Sequence, residues 1–259
     1  MNLKEVFQKY AAVVFFDTET TGLDAGSCQI IELAAIRYER APLCGALVQA
    51  SACDLFVKLP EGQKIPAKIV ELTGITDERL EADGVSEAEA AKIFTRLIER
   101  DKGPVLLVAH NAQFDLLFVR EMMWRHPVCG HTGTGEELLE AADYLDSLTV
   151  YKDRRAYPHK LANAIQDYNL QDKVQNSHRA IDDVAALFEA VKAMDNERAD
   201  LLNYVNLFGY NPKYGVSGPK IDKVRYHPQR FNNYMQAPNY TLPVLSGKIK
   251  PTQRQSWQY

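Results

Sequence analysis

Residues 15–23 read FFDTETTGL. Phe15 and Phe16 close an apolar run that begins at Ala12 (AVVFF, 12–16), and such a run predicts a buried strand. Asp17 and Glu19 stand two apart where that strand ends, so both carboxylates point to one face. Thr20, Thr21 and Gly22 then turn the chain away. Like charges side by side raise each other's pKa, and a buried strand end is a poor place for them unless a cation lies between. Taken alone, the pair also suits an aspartate that starts a turn beside a solvated glutamate.

Two further segments supply acids of the same kind. In VAHNAQFDLLFVREMM (108–123), a helical projection gathers Phe118, Val119, Met122 and Met123 on one side. Asp115 falls inside that apolar arc, while Arg120, Glu121 and Trp124 lie off it. A capping aspartate gains from the helix dipole without facing the core. An acid aimed inward needs a partner, and a metal ion is a natural one. In SHRAIDDVAALFEAV (177–191), Asp183 borders the arc of Val184, Leu187, Val191 and Met194. Asp182 points to the opposite side as a solvated charge, and His178 sits in the turn before the helix.

Together Asp17, Glu19, Asp115 and Asp183 form an all-oxygen donor set suited to Mg²⁺ or Mn²⁺ rather than zinc. Two such cations about 4 Å apart activate a water and stabilise the leaving oxygen of a phosphodiester. His178 offers the near-neutral pKa wanted in a base for that water.

The motifs DTETTG (17–22), AHNAQFD (109–115) and HRAIDD (178–183), in this order, resemble those of the DEDDh branch of the exonuclease superfamily. That branch includes proofreading subunits of bacterial replicative polymerases, RNase T and oligoribonuclease. The resemblance covers about residues 11–195, and the H-x4-D spacing from His178 to Asp183 matches the histidine branch. The tyrosine branch has a tyrosine where Arg179 stands. The resemblance implies an α/β fold of ribonuclease H-like type, a mixed five-stranded sheet flanked by helices. It implies a 3'→5' exonuclease releasing nucleoside 5'-monophosphates, with two divalent cations on Asp17, Glu19, Asp115 and Asp183, and His178 as general base. Thr18, Thr20 and Leu23 match positions that contact the terminal nucleotide; Asn111 and Phe114 match positions lining the same cleft. The expected substrate is a nucleic-acid 3' end: single-stranded DNA in proofreading or repair, or RNA in a trimming role. A DNA polymerase is the partner this resemblance suggests. The rival is a non-catalytic nucleic-acid-binding module of the same fold, which the presence of all five groups disfavours.

Outward from the motifs, IIELAAIRY (30–38), CDLFVKL (53–59), VLLVAH (105–110) and a stretch near Tyr144–Leu148 read as further strands. PAKIVELTG and TDERLEADG suggest short helices between Pro60 and Gly84. SEAEAAKIFTRLIERD (86–101) is a helix, with Ser86 and Glu89 at capping-box spacing. Helices are expected at about 112–125, 159–168 and 180–194.

The chain of 259 residues, 46% hydrophobic and 25% charged, suits one substantial domain with length to spare. It holds no apolar run near that of a membrane helix, and Lys4, Glu5 and Lys9 break the place of a signal peptide's apolar core. A cytoplasmic location away from membranes is therefore expected. The cysteines at 28, 44, 53 and 129 form no metal-binding pattern and are expected to be small buried side chains. Residues 201–259 carry eight Lys/Arg and one acid, a balance of +7, which leaves −11 for residues 1–200 of a chain whose total is −4. The same stretch has six of the twelve prolines and ten aromatics. We therefore expect an exonuclease domain at 11–195 and an irregular basic extension at 196–259. Tyr210, Tyr214, Tyr226, Phe231 and Tyr234, interleaved with Lys/Arg, suit contacts to a nucleic-acid strand; an arm packed on its own domain fits the composition as well.

Overall fold

A computed structural model describes residues 3–41, 43–174 and 179–229. A short helix, α1 (Val6–Lys9), leads into three strands, β1 (Ala12–Thr20), β2 (Ile30–Arg40) and β3 (Leu47–Phe56). Helices α2 (Ala67–Thr73), α3 (Asp77–Asp83) and α4 (Glu87–Leu97) follow, then β4 (Val105–Ala109), α5 (Ala112–Arg125) and α6 (Gly135–Ala141). Strand β5 (Asp143–Asp146) runs straight into α7 (Ser147–Arg154), and α8 (Leu161–Asp167) and α9 (Ala180–Glu197) complete the helical layers. A 3-10 turn at Leu201–Tyr204 then leads to β6 (Leu207–Tyr210) and β7 (Arg225–Pro228).

The five-stranded sheet has the order β3-β2-β1-β4-β5. β2 runs antiparallel to β1 and β3, whereas β4 and β5 run parallel to β1. Central β1 is apolar on both faces. Ala12, Val14 and Phe16 join the core under α4 and α5, while Val13 and Phe15 join the core under α7 and α9. Phe15 meets Tyr38 and Phe188 edge-on, and those two rings stack at 4.1 Å. Full burial of a phenylalanine is worth roughly 1.5–3 kcal/mol, so packing pins the strand on both sides. Only its last turn-forming residues are polar, and the parallel neighbours β4 and β5 end on the same side. Loops at the carboxyl ends of parallel strands form the usual crevice of such sheets.

Asp146, buried at the end of β5, organises that crevice. Its Oδ1 accepts from the backbone N–H groups of Asn111 (2.9 Å) and Ala112 (3.1 Å), which open α5. The same carboxylate accepts from Leu148 and Thr149 N–H and from the Thr149 hydroxyl, capping α7. Asn111 starts α5 in the left-handed region (φ 72°), without a side-chain cap of its own. One acid therefore satisfies two helix starts.

The structure departs from the expected elements in places. β3 begins well before Cys53 because its first half is a mostly exposed edge with no apolar alternation. α6 and α7 were not expected; Thr134 and Glu137 form a full capping box for α6. Of the four cysteines only Cys53 is buried, and Cys44 and Cys129 lie exposed in connections. Residues 201–229 pack on the domain: Leu201, Tyr204 and Leu207 enter one core and Phe208 and Val224 the other. Asn206 pairs with both backbone groups of Tyr144 at the sheet edge. Among the described residues no helix is long and apolar enough to cross a membrane.

Replacing Asp146 by Ala removes both caps at once. At about 0.5–2 kcal/mol per cap, Asp146→Ala should lower the unfolding free energy by about 1–4 kcal/mol in chemical denaturation. A loss under about 0.5 kcal/mol would show that water replaces these bonds at no cost.

Candidate active site

Strand β1 divides its polar residues between the two faces of the sheet. Asp17 and Glu19 continue the alternation of Val13 and Phe15 and face the α9 layer; Thr18 faces α5. Thr18 donates to Asp115 Oδ1 from its backbone N–H (3.0 Å) and from its hydroxyl (2.7 Å). Asp115, in the first turn of α5, is 3% exposed and reaches the end of β1 from the opposite layer. A bulge between Glu19 and Thr20 ends the regular pairing with β2 and lets the chain leave the sheet.

The fourth acid arrives on α9. Oxygen atoms of Asp17, Glu19 and Asp183 all lie within 4.8 Å of one another. The start of α9 is fixed by Glu32, which lies opposite Glu19 in the β1–β2 register and is wholly buried. Glu32 accepts from the Ala180 N–H at 3.1 Å and from Arg179 Nε at 2.8 Å. Arg179 also rests on the Phe56 ring. The clamp therefore holds the residues just before Asp183 against β2. Sequence reasoning missed Glu32, although an acid inside IIELAAI, an otherwise apolar strand run, was a signal in plain view.

Burial is the largest influence on each β1 carboxylate and on Asp115. It pushes Asp17 well above the usual carboxylate range, reinforced by the charges of Asp115, Asp183, Glu19 and Glu32. Glu19 is pushed up to about 8 by burial and then by Asp183, Glu32 and Asp115. Asp115 is raised to about 7 by burial, against the lowering effect of the bonds from Thr18. Arg179 spends its charge on Glu32, not on this cluster. Hard oxygen donors whose ionised forms repel one another fit a divalent cation such as Mg²⁺ or Mn²⁺.

The remaining expected residues fall as follows. Thr18 and Thr20 are buried, and Thr20 gives its hydroxyl to the Gly22 carbonyl, so both hydroxyls are engaged within the protein. Leu23 is 89% exposed and, with half-buried Phe114, lines a cavity of about 160 Å³. Asn111 is exposed at the head of α5 and lines two neighbouring cavities. Asp183 is buried as the helical projection required; Asp182 is half-buried rather than fully solvated, with Arg179 close enough to feel its charge. His178 lies outside the described residues.

The mixed five-stranded sheet flanked by helices, with carboxylates clustered at the end of its central strand, is the arrangement that the motifs lead us to expect. The chain belongs to the exonuclease family: the Exonuclease model of RNase T type matches residues 14–191. It is similar to the DNA polymerase III subunit epsilon of Treponema pallidum, 29% identical over 72% of this chain and 77% of that protein. Ribonuclease T of Vibrio parahaemolyticus is 34% identical over 46% of this chain and 58% of its own. A PolC-type DNA polymerase III of Latilactobacillus sakei is 28% identical over 83% of this chain, which spans only 13% of that polymerase. In three dimensions the fold resembles E. coli Exonuclease I in complex with a dT13 oligonucleotide, with a TM-score of 0.60 and 19% identity over 75% of this chain and 43% of the other.

Two predictions follow from the electrostatics and the clamp. Glu19 and Asp115 hold protons more tightly in the folded than in the unfolded state. Their contribution therefore favours the metal-free fold at low pH and is lost as pH rises through about 7 and about 8. Thermal melts of metal-free protein should show stability falling across this window. Mg²⁺ or Mn²⁺ should restore it at about pH 8, by about 2.7 kcal/mol at a hundredfold excess over Kd, and do far less near pH 5. Identical melts with and without metal at about pH 8 would contradict a cation site here.

Glu32→Ala leaves the Ala180 N–H and Arg179 without their shared acceptor, a cost of about 1–3 kcal/mol. Hydrolysis should fall with it, and Glu32→Gln, which keeps one acceptor oxygen, should recover part of both losses.

Proposed function

We propose that this protein is a 3'→5' exonuclease that removes nucleoside 5'-monophosphates from single-stranded 3' ends, with DNA as the preferred strand. The observation that carries the reading is the convergence of Asp17, Glu19 and Asp183 within 4.8 Å, with Asp115 adding the largest neighbouring charge effect on Asp17. These four acids would hold two Mg²⁺ or Mn²⁺ ions. Such ions, when bound, neutralise the phosphate charge and make a bound water more acidic.

The chain's own residues have distinct tasks. Thr18 orients Asp115 through two hydrogen bonds, and Glu32 sets the start of α9 so that Asp183 meets β1. His178, five residues before Asp183, takes the proton of the attacking water on a ring nitrogen. The water oxygen bonds to the scissile phosphorus as the bond from phosphorus to the upstream 3'-oxygen breaks. That oxygen then takes a proton from solvent. Leu23 and Phe114 offer apolar surface for the terminal nucleotide, with Asn111 at the head of α5 beside it. Thr18 and Thr20 contribute here through their backbone, since their hydroxyls are engaged.

DNA is favoured because the epsilon relative, matched over most of both chains, is a DNA polymerase III subunit, and because the Exonuclease I likeness is to a complex with dT13. By the same likeness a DNA polymerase is the proposed partner, and a cytoplasmic setting goes with it. RNA trimming is the second reading, supported by the Ribonuclease T relative. The domain division proposed is a catalytic unit at 11–195, consistent with the family match to 14–191, and an extension at 196–259.

A time course on matched DNA and RNA single strands, resolved by length with product identification, tests this reading. DNA should shorten one residue at a time from its 3' end, in a metal-dependent manner, yielding 5'-monophosphates. Asp183→Asn should lose several orders of magnitude in single-turnover rate, and His178→Ala roughly 10² to 10⁴. Asp182→Asn should change the rate little. Nucleoside 3'-monophosphates as product, or full activity after exhaustive chelation, would overturn the mechanism. An active Asp183→Asn beside a dead Asp182→Asn would overturn the ligand assignment.

A further inference from the structure

Three cavities around the head of α5 share their walls. The largest, about 460 Å³, is lined by His110, Lys152, Tyr157, Lys160 and Asn211 among others. Asn111, Lys152 and Asn211 also line a second, of about 190 Å³. Ser217 is common to the second and to the Leu23–Phe114 cavity described above. One trough therefore runs along the carboxyl ends of β4 and β5 to the residues beside Asp115. Its outer wall is the segment between β6 and β7.

That wall is fixed to the catalytic turn. Gln113, two residues before Asp115, donates through Nε2 to the Pro219 carbonyl and accepts at Oε1 from the Tyr226 hydroxyl, each at 2.5 Å. Tyr226 Oη in turn accepts from the Ile221 N–H at 2.8 Å, and Gly209 N–H donates to the Thr149 hydroxyl at 2.7 Å. Pro219 and Tyr226 are thus tied to α5, and Gly209 to α7, before any ligand arrives. Such preorganisation lowers the ordering cost of binding.

The lining suits one kind of partner. The outer cavity has Lys152 and Lys160 and no carboxylate among its lining residues. Tyr157 is 78% exposed at one end, and Tyr214, which follows Lys213 on the wall, is 73% exposed. Amines for phosphates beside uncovered rings for bases are the elements of a sequence-tolerant single-strand track. We infer that the wall between β6 and β7, with Tyr157 and Lys160 facing it across the trough, binds the nucleotides upstream of the terminal one in a single-stranded nucleic acid. The inference rests on the proposed exonuclease reading, because the trough's inner end is the Leu23–Phe114 cavity that the reading assigns to the terminal nucleotide.

Direct binding and turnover separate the two. Anisotropy of a labelled oligonucleotide of about ten residues, with Ca²⁺ in place of Mg²⁺, reads the track without hydrolysis. Tyr157→Ala and Tyr214→Ala should each weaken binding roughly tenfold, and Lys160→Ala should flatten the slope of log K against log salt by about 0.7. All three side chains are exposed, so folding should survive; circular dichroism and melting confirm that for each variant. In turnover, the variants should raise the oligonucleotide KM relative to that of the p-nitrophenyl ester of thymidine 5'-monophosphate, which has no upstream nucleotides. If wild-type protein binds the strand through these residues but hydrolyses neither substrate, the exonuclease reading fails and the track stands. Unchanged affinity and salt slope in all three variants would overturn the track, including the case in which the trough takes an acidic protein segment instead.

Discussion

Mutual repulsion among buried carboxylates governs this fold. Asp17, Glu19, Asp115 and Asp183 are brought together at one end of the central strand, where burial raises Asp17, Glu19 and Asp115 and the neighbouring acids raise Asp17 and Glu19 further. Above about pH 8 that cluster opposes the metal-free fold, so the rest of the molecule must hold it in place. Central β1 does so with apolar packing on both faces, and its alternation sends Asp17 and Glu19 to one side and Thr18 to the other. An edge strand, buried on one face only, would lack that grip.

Each incoming acid is positioned by a group that is not itself in the cluster. Asp115 is held by Thr18, and Asp183 by the bonds of Glu32 to Ala180 and Arg179. Asp146 performs the same service one strand away, by capping α5 and α7 together. Glu32 and Asp146 are buried acids whose oxygens all accept hydrogen bonds, from N–H groups and, at Asp146, also from the Thr149 hydroxyl. These two acids thus support the cluster from outside it.

Much of this was legible in residue order. Helical projection placed Asp115 and Asp183 inward, and both are buried; the helix expected at about 112–125 is α5. Periodicity works there because each helix rests one face on a core. Glu32 was not legible in that way, because its meaning lies in a cross-strand partner and a helix start almost 150 residues away. β6 and β7 were equally hidden. Four-residue strands containing Gly209 and Pro228 present no period, and their apolar residues are divided between two cores. Thr18 shows a subtler limit: its place in DTETTG marks it as functional, but only the structure reveals that its hydroxyl serves Asp115.

The same reasoning bears on the extension. A composition rich in proline, tyrosine and lysine fits both a packed arm and a strand-binding surface, and the two were posed as alternatives. The structure shows the packing, and the proposed track is compatible with it. Leu207, Phe208 and Val224 bury their side chains in the domain, and this anchoring is what lets Tyr214 and the neighbouring backbone stand as a fixed wall. An exposed tyrosine on an unanchored arm would lose conformational freedom on stacking, and that loss would offset much of the gain. On an anchored wall most of that cost has already been met in folding. Packing and the proposed recognition are therefore compatible consequences of one sequence: the apolar residues dock the segment, and residues between them, Asn211 and Tyr214 among them, line the trough.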